Sequence, residues 1–263
     1  MNAIIINIDP DIYHLGFFTL RWYSLIVIIS AVVGLWWAWR AAQKEGISQD
    51  TVTTLALWAI PGGIVGSRLV HVIDQLDYYL ANPGAIIGGE GQAIYGAILG
   101  GALGAWIGSR VHRLPYARLL DLTAPGLLLA MAIGRVADII NGSTPGSLTD
   151  VPWALVYTHP RSYAPLGVPT HPAVVYDIIW DMVVFATVLK LRGRLAPAGS
   201  LFMLYLAMYS VGRFFITFTR DNEPFLFGLY QAQVIALLVL VVMVPLLVAR
   251  THWVKKTTPA EEA

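Results

Sequence analysis

Seven stretches of this chain are each apolar over about 20 residues, the length an α-helix needs to cross the hydrocarbon of a bilayer. They fall roughly at residues 20–39, 55–73, 93–109, 119–140, 173–191, 201–219 and 229–249. Backbone amides at that depth have no water to bond, so each stretch must satisfy itself as a helix. The expected fold is all-α and polytopic: one seven-helix membrane domain over 1–254, with a disordered cytoplasmic tail at 255–263. Charged residues make up 13% of the chain, well below the ~25% usual in water-soluble domains. The absence of cysteine excludes a disulfide framework, a thiolate metal site and a cysteine nucleophile. The N-terminus has no basic n-region and contains Asp9, Pro10 and Asp11, so it does not read as a cleavable signal peptide.

Basic residues orient the helices. Arg40 and Lys44 follow the first span, Arg110, Arg113 and Arg118 the third, Lys190, Arg192 and Arg194 the fifth, and Arg250, Lys255 and Lys256 the last. These eleven stand against Arg21, Arg161 and Arg220 on the other side, and the remaining three of the 17 Lys and Arg lie within spans. The positive-inside rule then puts the N-terminus outside and the C-terminus in the cytoplasm. Two outer connections are long, 74–92 and 141–172; the second, rich in Pro, Gly and Ser, is expected to form a small cap.

The three arginines inside spans are Arg68, Arg135 and Arg213. An arginine at mid-bilayer costs at least ~2.5–3.5 kcal/mol, so each needs a partner, a watery cavity or a task. All three lie in outward-running helices, about 9–10 Å before the outer end at ~1.5 Å per residue. Each could snorkel to the interface, but three at one depth suit an anionic lipid, whose phosphate oxygens a guanidinium fork binds bidentately. Polar neighbours share their helical faces: Asp138 and Asn141 with Arg135, Thr217 and Arg220 with Arg213, His71 with Arg68. An Arg135–Asp138 ion pair is expected. Inward-running helices open on polar aromatics, among them Tyr23, Tyr95 and Tyr176, which an interfacial aromatic belt also explains. Glycines at 96, 100, 104 and 108, with Gly62 and Gly66, are spaced for close helix packing.

These residues carry a resemblance. Gly134-Arg135-Val136-Ala137-Asp138-Ile139-Ile140-Asn141-Gly142, with Gly146 beyond it, resembles the signature of prolipoprotein diacylglyceryl transferases, approximately G-R-x-G-N-F-x-N-x-E-x-x-G. The resemblance extends along nearly the whole chain, through Arg21-Trp22-Tyr23, Gly66-Ser67-Arg68, Gly91-Gln92-Ala93-Ile94-Tyr95-Gly96, His171-Pro172 with Tyr176-Asp177, and Gly212-Arg213 through Arg220. Four positions depart from the pattern. Asp138 replaces an asparagine, Ser143 and Thr217 each replace a glutamate, and Asp177 replaces a glutamate conservatively. Either the chain is a divergent relative with altered activity, or Asp138 supplies the carboxylate those positions normally provide.

The resemblance implies a multi-pass enzyme of the bacterial cytoplasmic membrane with its active site facing the outer leaflet. It would move the diacylglyceryl group of phosphatidylglycerol to the lipobox cysteine of a prolipoprotein, form a thioether and release glycerol-1-phosphate. On this reading Arg135 and Arg213 take the phosphate and Arg68 helps to hold or gate the lipid. Tyr23, Tyr95 and Asp138 orient the headgroup or accept the thiol proton, and His171 is a spare base. Asn141, Gly146 and Arg220 complete the phosphatidylglycerol site. The expected partners are phosphatidylglycerol, signal peptides and membrane lipids, the expected state is a monomer, and no metal, cofactor or nucleic acid is required. Two rivals stand beside this reading: a non-catalytic lipid-binding relative, and a small-molecule transporter, the latter supported by Asp138 and Asp181 inside spans.

Overall fold

The computed structural model describes residues 3–15, 18–86 and 94–254; the tail at 255–263 and part of the 74–92 connection lie outside them. Eight α-helices run through the described residues: α1 (Trp22–Gln43), α2 (Gln49–Asp74), α3 (Leu76–Ala81), α4 (Ile94–Val111), α5 (Tyr116–Asn141), α6 (Ala173–Leu191), α7 (Ser200–Ile216) and α8 (Gln231–Arg250). Seven coincide with the apolar stretches. The short α3 is an addition within the 74–92 connection. Five helices are long and apolar enough to cross a membrane by length and composition: α1, α2, α5, α7 with the turn that follows it, and α8. The other two are diluted, α4 by its glycines and α6 by Asp177, Asp181 and Lys190. Apolar side chains such as Val241 (71% exposed) and Val248 (77%) cover helix exteriors, as a hydrocarbon solvent requires.

The chain divides into two compact units, residues 1–38 with 120–263, and residues 39–119. In the smaller unit Ser48 caps α2, its hydroxyl accepting the Thr51 amide at 3.3 Å. Glycines let α2 and α4 touch backbone to backbone: a Cβ on Gly66 would lie 2.3 Å from the Gly96 carbonyl oxygen, and one on Gly100 2.2 Å from that of Gly62. Neither neighbour can yield, because both are helix backbone. Gly100→Leu is therefore expected to destabilise this unit by at least the ~1–3 kcal/mol typical of overpacking, read as a lower thermal midpoint in detergent.

In the larger unit, Ala124 and Leu128 of α5, Val184 and Val188 of α6, and Leu201 and Tyr205 of α7 form a buried cluster. The Asp121 carboxylate accepts the amides of Gly199 (2.7 Å) and Phe202 (2.8 Å), satisfying the amide-rich start of α7. Gln233 ties α8 to the α7 end by donating to the Phe214 carbonyl at 3.3 Å.

Short strands build the 141–172 connection into a cap together with Ile4–Ile6. The strands β1 (Ile4–Ile6), β4 (Leu155–Tyr157) and β5 (Pro169–Thr170) form one sheet, with β1 parallel to β4 and β5 antiparallel to it. The hairpin of β2 (Asp11–Leu15) and β3 (Phe18–Arg21) leads from this sheet into α1. Arg161 fastens the hairpin to the cap through Asp9 (3.0 Å) and His14 (2.8 Å). The Asp11 amide, donating to Asp9 at 3.0 Å, together with Arg161, holds the Asp9 carboxyl below its usual range.

Candidate active site

Three guanidiniums of the larger unit converge on one carboxylate. Asp177, on the second turn of α6, is 5% exposed. Its Oδ2 lies 3.6 Å from Arg135 Nε and 3.5 Å from Arg213 Nη1, and it accepts a hydrogen bond from Arg220 Nη2. Each cation arrives by a different local device. Arg135 projects from the C-terminal half of α5, three residues before Asp138, and the helical spacing closes the expected ion pair at 3.2 Å (Nη1 to Oδ2). Arg213 stands in the last turn of α7. Arg220 follows a 3₁₀ turn over Thr217–Thr219, where the Thr217 hydroxyl donates to the Arg213 carbonyl and the chain tightens. Arg220 is thereby brought back onto Asp177 and is only 7% exposed.

The end of α5 supplies the second carboxylate with its partners. Gly142 adopts the left-handed conformation (φ 69°) that terminates helices, and its amide donates to the Asp138 carbonyl at 2.8 Å. That reversal returns Ser143 to the helix it has just left, where its hydroxyl donates to Asp138 Oδ1 at 2.9 Å. A side chain at 142 would strain the turn and would also place a Cβ 2.4 Å from Ser162 Oγ. Tyr157 locks the cap to the same helix end, donating to the Ile139 carbonyl at 3.0 Å. Burial, and secondarily the Asp138 charge, push the Tyr157 phenol up to about 12, so it stays a donor at neutral pH.

The formal charge of the three arginines and the two carboxylates they touch is 3 − 2 = +1. The hydrogen bonds are also incomplete: Arg213 Nη1, Arg220 Nε and Asn141 Oδ1 are buried and have no hydrogen-bond partner among the described residues. An orphaned buried donor costs about 1–3 kcal/mol, so two on neighbouring guanidiniums suit an anion with several oxygens.

Other candidates fall in different places. Asn141 is buried (8% exposed) at the end of α5, its carbonyl accepting the Tyr163 amide at 3.0 Å. Gly146 bridges to Arg220, and a Cβ on it would meet the His171 carbonyl oxygen at 2.2 Å, so only glycine allows the cap this close. The ring of His171 meets the Tyr176 hydroxyl at 3.4 Å, and Trp153 Nε1 donates to that same hydroxyl at 2.8 Å. Tyr23 is 42% exposed near the start of α1. The side chain of Tyr95 lies outside the described residues. Arg68 belongs to the smaller unit, where it donates to the carbonyls of Ala85 (2.5 Å) and Ile86 (2.9 Å) and covers the Tyr79 ring at 5.3 Å. Within the larger unit, Arg220 joins Arg135 and Arg213 at Asp177. Asp177, which organises all three, stands in the sequence only as a conservative replacement of a family glutamate, with no site role assigned to it; its placement one turn before Asp181 and beside Tyr176 is the available signal.

The sequence model of the family described as "Prolipoprotein diacylglyceryl transferase" matches residues 10–249. A relative from Dehalococcoides mccartyi (strain CBDB1), named "Phosphatidylglycerol--prolipoprotein diacylglyceryl transferase", is 41% identical over 96% of this chain and 97% of its own. Relatives with the same name come from Trichormus variabilis, 35% identical over 87% of this chain and 84% of theirs, and Lysinibacillus sphaericus, 31% identical over 97% of each.

Proposed function

The chain belongs to the prolipoprotein diacylglyceryl transferase family, and from that premise we propose how its arginine cluster works. The protein is a membrane transferase of lipoprotein biosynthesis that moves the diacylglyceryl group of phosphatidylglycerol to prolipoproteins. It spans the membrane seven times, N-terminus outside, and its site faces the outer leaflet. This topology is supported by eleven Lys and Arg on one side against three on the other.

The observation that carries the mechanism is the convergence of Arg135, Arg213 and Arg220 on Asp177, with a formal surplus of one positive charge. The donor's phosphodiester enters as a monoanion and occupies the unmade bonds of Arg213 and Arg220. The prolipoprotein cysteine sulfur attacks the glyceryl carbon bonded to the phosphate oxygen. A carbon–sulfur bond forms, the carbon–oxygen bond breaks, and its electron pair goes to the departing glycerol-1-phosphate. Negative charge grows on that phosphate along the reaction, so preset guanidiniums stabilise the transition state more than the bound donor.

The thiol must lose its proton to become a competent nucleophile. Asp138 takes it in this account: its carboxylate is engaged by one guanidinium and one hydroxyl, whereas Asp177 Oδ2 is occupied by three guanidiniums. Asp138 then also supplies the carboxylate that Ser143 does not. Tyr23, Tyr95 and Asn141 are assigned to the headgroup, and the cap to the incoming peptide. Incubating the purified protein with phosphatidylglycerol and a lipobox peptide should release glycerol-1-phosphate in step with a diacylglyceryl mass gain on cysteine. Lipid binding without either product would overturn the proposal in favour of a non-catalytic relative.

A further inference from the structure

The connection from α4 to α5 carries a second group of arginines that the reaction does not use. A cleft of about 540 Å³ opens there, lined by Trp106, Ser109, Arg110, Arg113, Leu114 and Tyr116, with Ala117 at its edge. The Arg110 guanidinium lies over the Trp106 ring at 5.4 Å. Tyr116 also lines the cleft, held in place because its hydroxyl donates to the Ala102 carbonyl at 3.2 Å. Arg113 takes the left-handed backbone conformation (φ 54°), uncommon for a side-chain-bearing residue, while the Leu114 amide closes the turn on the Ser109 carbonyl at 2.8 Å. The neighbouring Arg118 pairs with Glu45 at 2.9 Å. Neither Arg110 nor Arg113 has a carboxylate partner among the described residues.

We propose that this cleft binds the phosphate headgroup of an anionic phospholipid in the inner leaflet, separate from the lipid that reacts. On the topology proposed above, the turn lies at the cytoplasmic interface, where anionic headgroups and amphipathic aromatics meet. Two unpaired guanidiniums supply the charge and the fork geometry for phosphate oxygens. Trp106 and Tyr116 give the glycerol backbone an apolar wall with polar edges. A soluble phosphate would use the arginines alone and leave both rings idle, which is why the lipid is preferred.

The chain has no cysteine, so Ala117→Cys provides a unique attachment point for a polarity-sensitive fluorophore at the exposed edge of the cleft. The labelled full-length protein is reconstituted in phosphatidylcholine nanodiscs containing increasing phosphatidylserine, an anionic lipid without the glycerol headgroup. The label is expected to respond to phosphatidylserine, to be reversed by salt, and to be unmoved by millimolar inorganic phosphate. Arg110→Gln with Arg113→Gln should raise the required lipid roughly thirtyfold, each surface cation contributing about a factor of five. Arg118→Gln should leave it unchanged, and transfer to a lipobox peptide should persist in both backgrounds. An equal response to added phosphatidylcholine, displacement by inorganic phosphate, or an unchanged titration in the double variant would overturn the proposal. The wild-type arms decide the matter even if the double variant fails to accumulate.

Discussion

Asp177→Asn is expected to cost the protein both stability and nearly all turnover. The substitution keeps the shape of the side chain and removes only its charge. It leaves Arg135, Arg213 and Arg220 around a neutral amide, although Asp177 Oδ2 lies within 3.6 Å of all three. Removing one partner from a buried ion pair typically costs about 3–5 kcal/mol, because the remaining charge stays buried without compensation. Here the remaining charges also repel one another. The thermal midpoint in detergent should fall, and added phosphate or sulfate should restore part of it by occupying the vacated centre. Catalysis should fall further, since Arg220 and Arg213 lose the group that aims them. Misplacement by ~1 Å can cost about 100-fold. Asp177→Glu keeps the charge but displaces it by one methylene, so it should retain the stability of the cluster with reduced turnover.

Arg213→Ala should act on the chemical step. A guanidinium that meets growing charge on the leaving phosphate resembles an oxyanion donor, whose removal costs about 10²–10³ in kcat. Because the donor enters as a monoanion and leaves as a phosphate monoester, kcat should fall by more than KM rises. Arg213→Lys should recover only part of the loss, since an ammonium offers the charge without the planar fork. Arg135→Ala should be similarly impaired, with an added loss of stability from the stranded Asp138. Both proteins should still accumulate in membranes, which separates a catalytic defect from misfolding.

The parts of this fold written in local sequence are legible in it, and the parts that depend on chain reversal are not. Apolar runs of helical length give the long helices of the described residues, five of them long and apolar enough to cross a membrane, because in hydrocarbon a run of that length has no other way to bond its backbone. The spacing of Arg135 and Asp138 gives their ion pair, because both lie on one turn. Arg68 donates to the carbonyls of Ala85 and Ile86 within the smaller unit, a contact that helical spacing does not encode. Arg220, placed beside Arg213 by spacing and in the lipid site by resemblance, reaches the cluster by a route that helical spacing does not give. A 3₁₀ turn, closed by the hydroxyl of Thr217, returns it to Asp177. Ser143 reaches Asp138 through a left-handed glycine that no helical wheel contains. The pairing of Ile4–Ile6 with Leu155–Tyr157 joins segments about 150 residues apart, and hydrophobic periodicity does not encode such a match.

The central claim is that Arg213 acts on the charge of the leaving phosphate, and a neutral donor tests it most directly. In a methylphosphonate analogue of phosphatidylglycerol, one charged non-bridging oxygen is replaced by a methyl group. Single-turnover rates are measured with both donors in the wild-type protein and in Arg213→Ala. The account predicts a large penalty for the neutral donor in the wild type and little or none in the variant, because the charge and its partner are lost together. The same fold penalty in both proteins would mean that Arg213 and the phosphate charge act independently, and would contradict it.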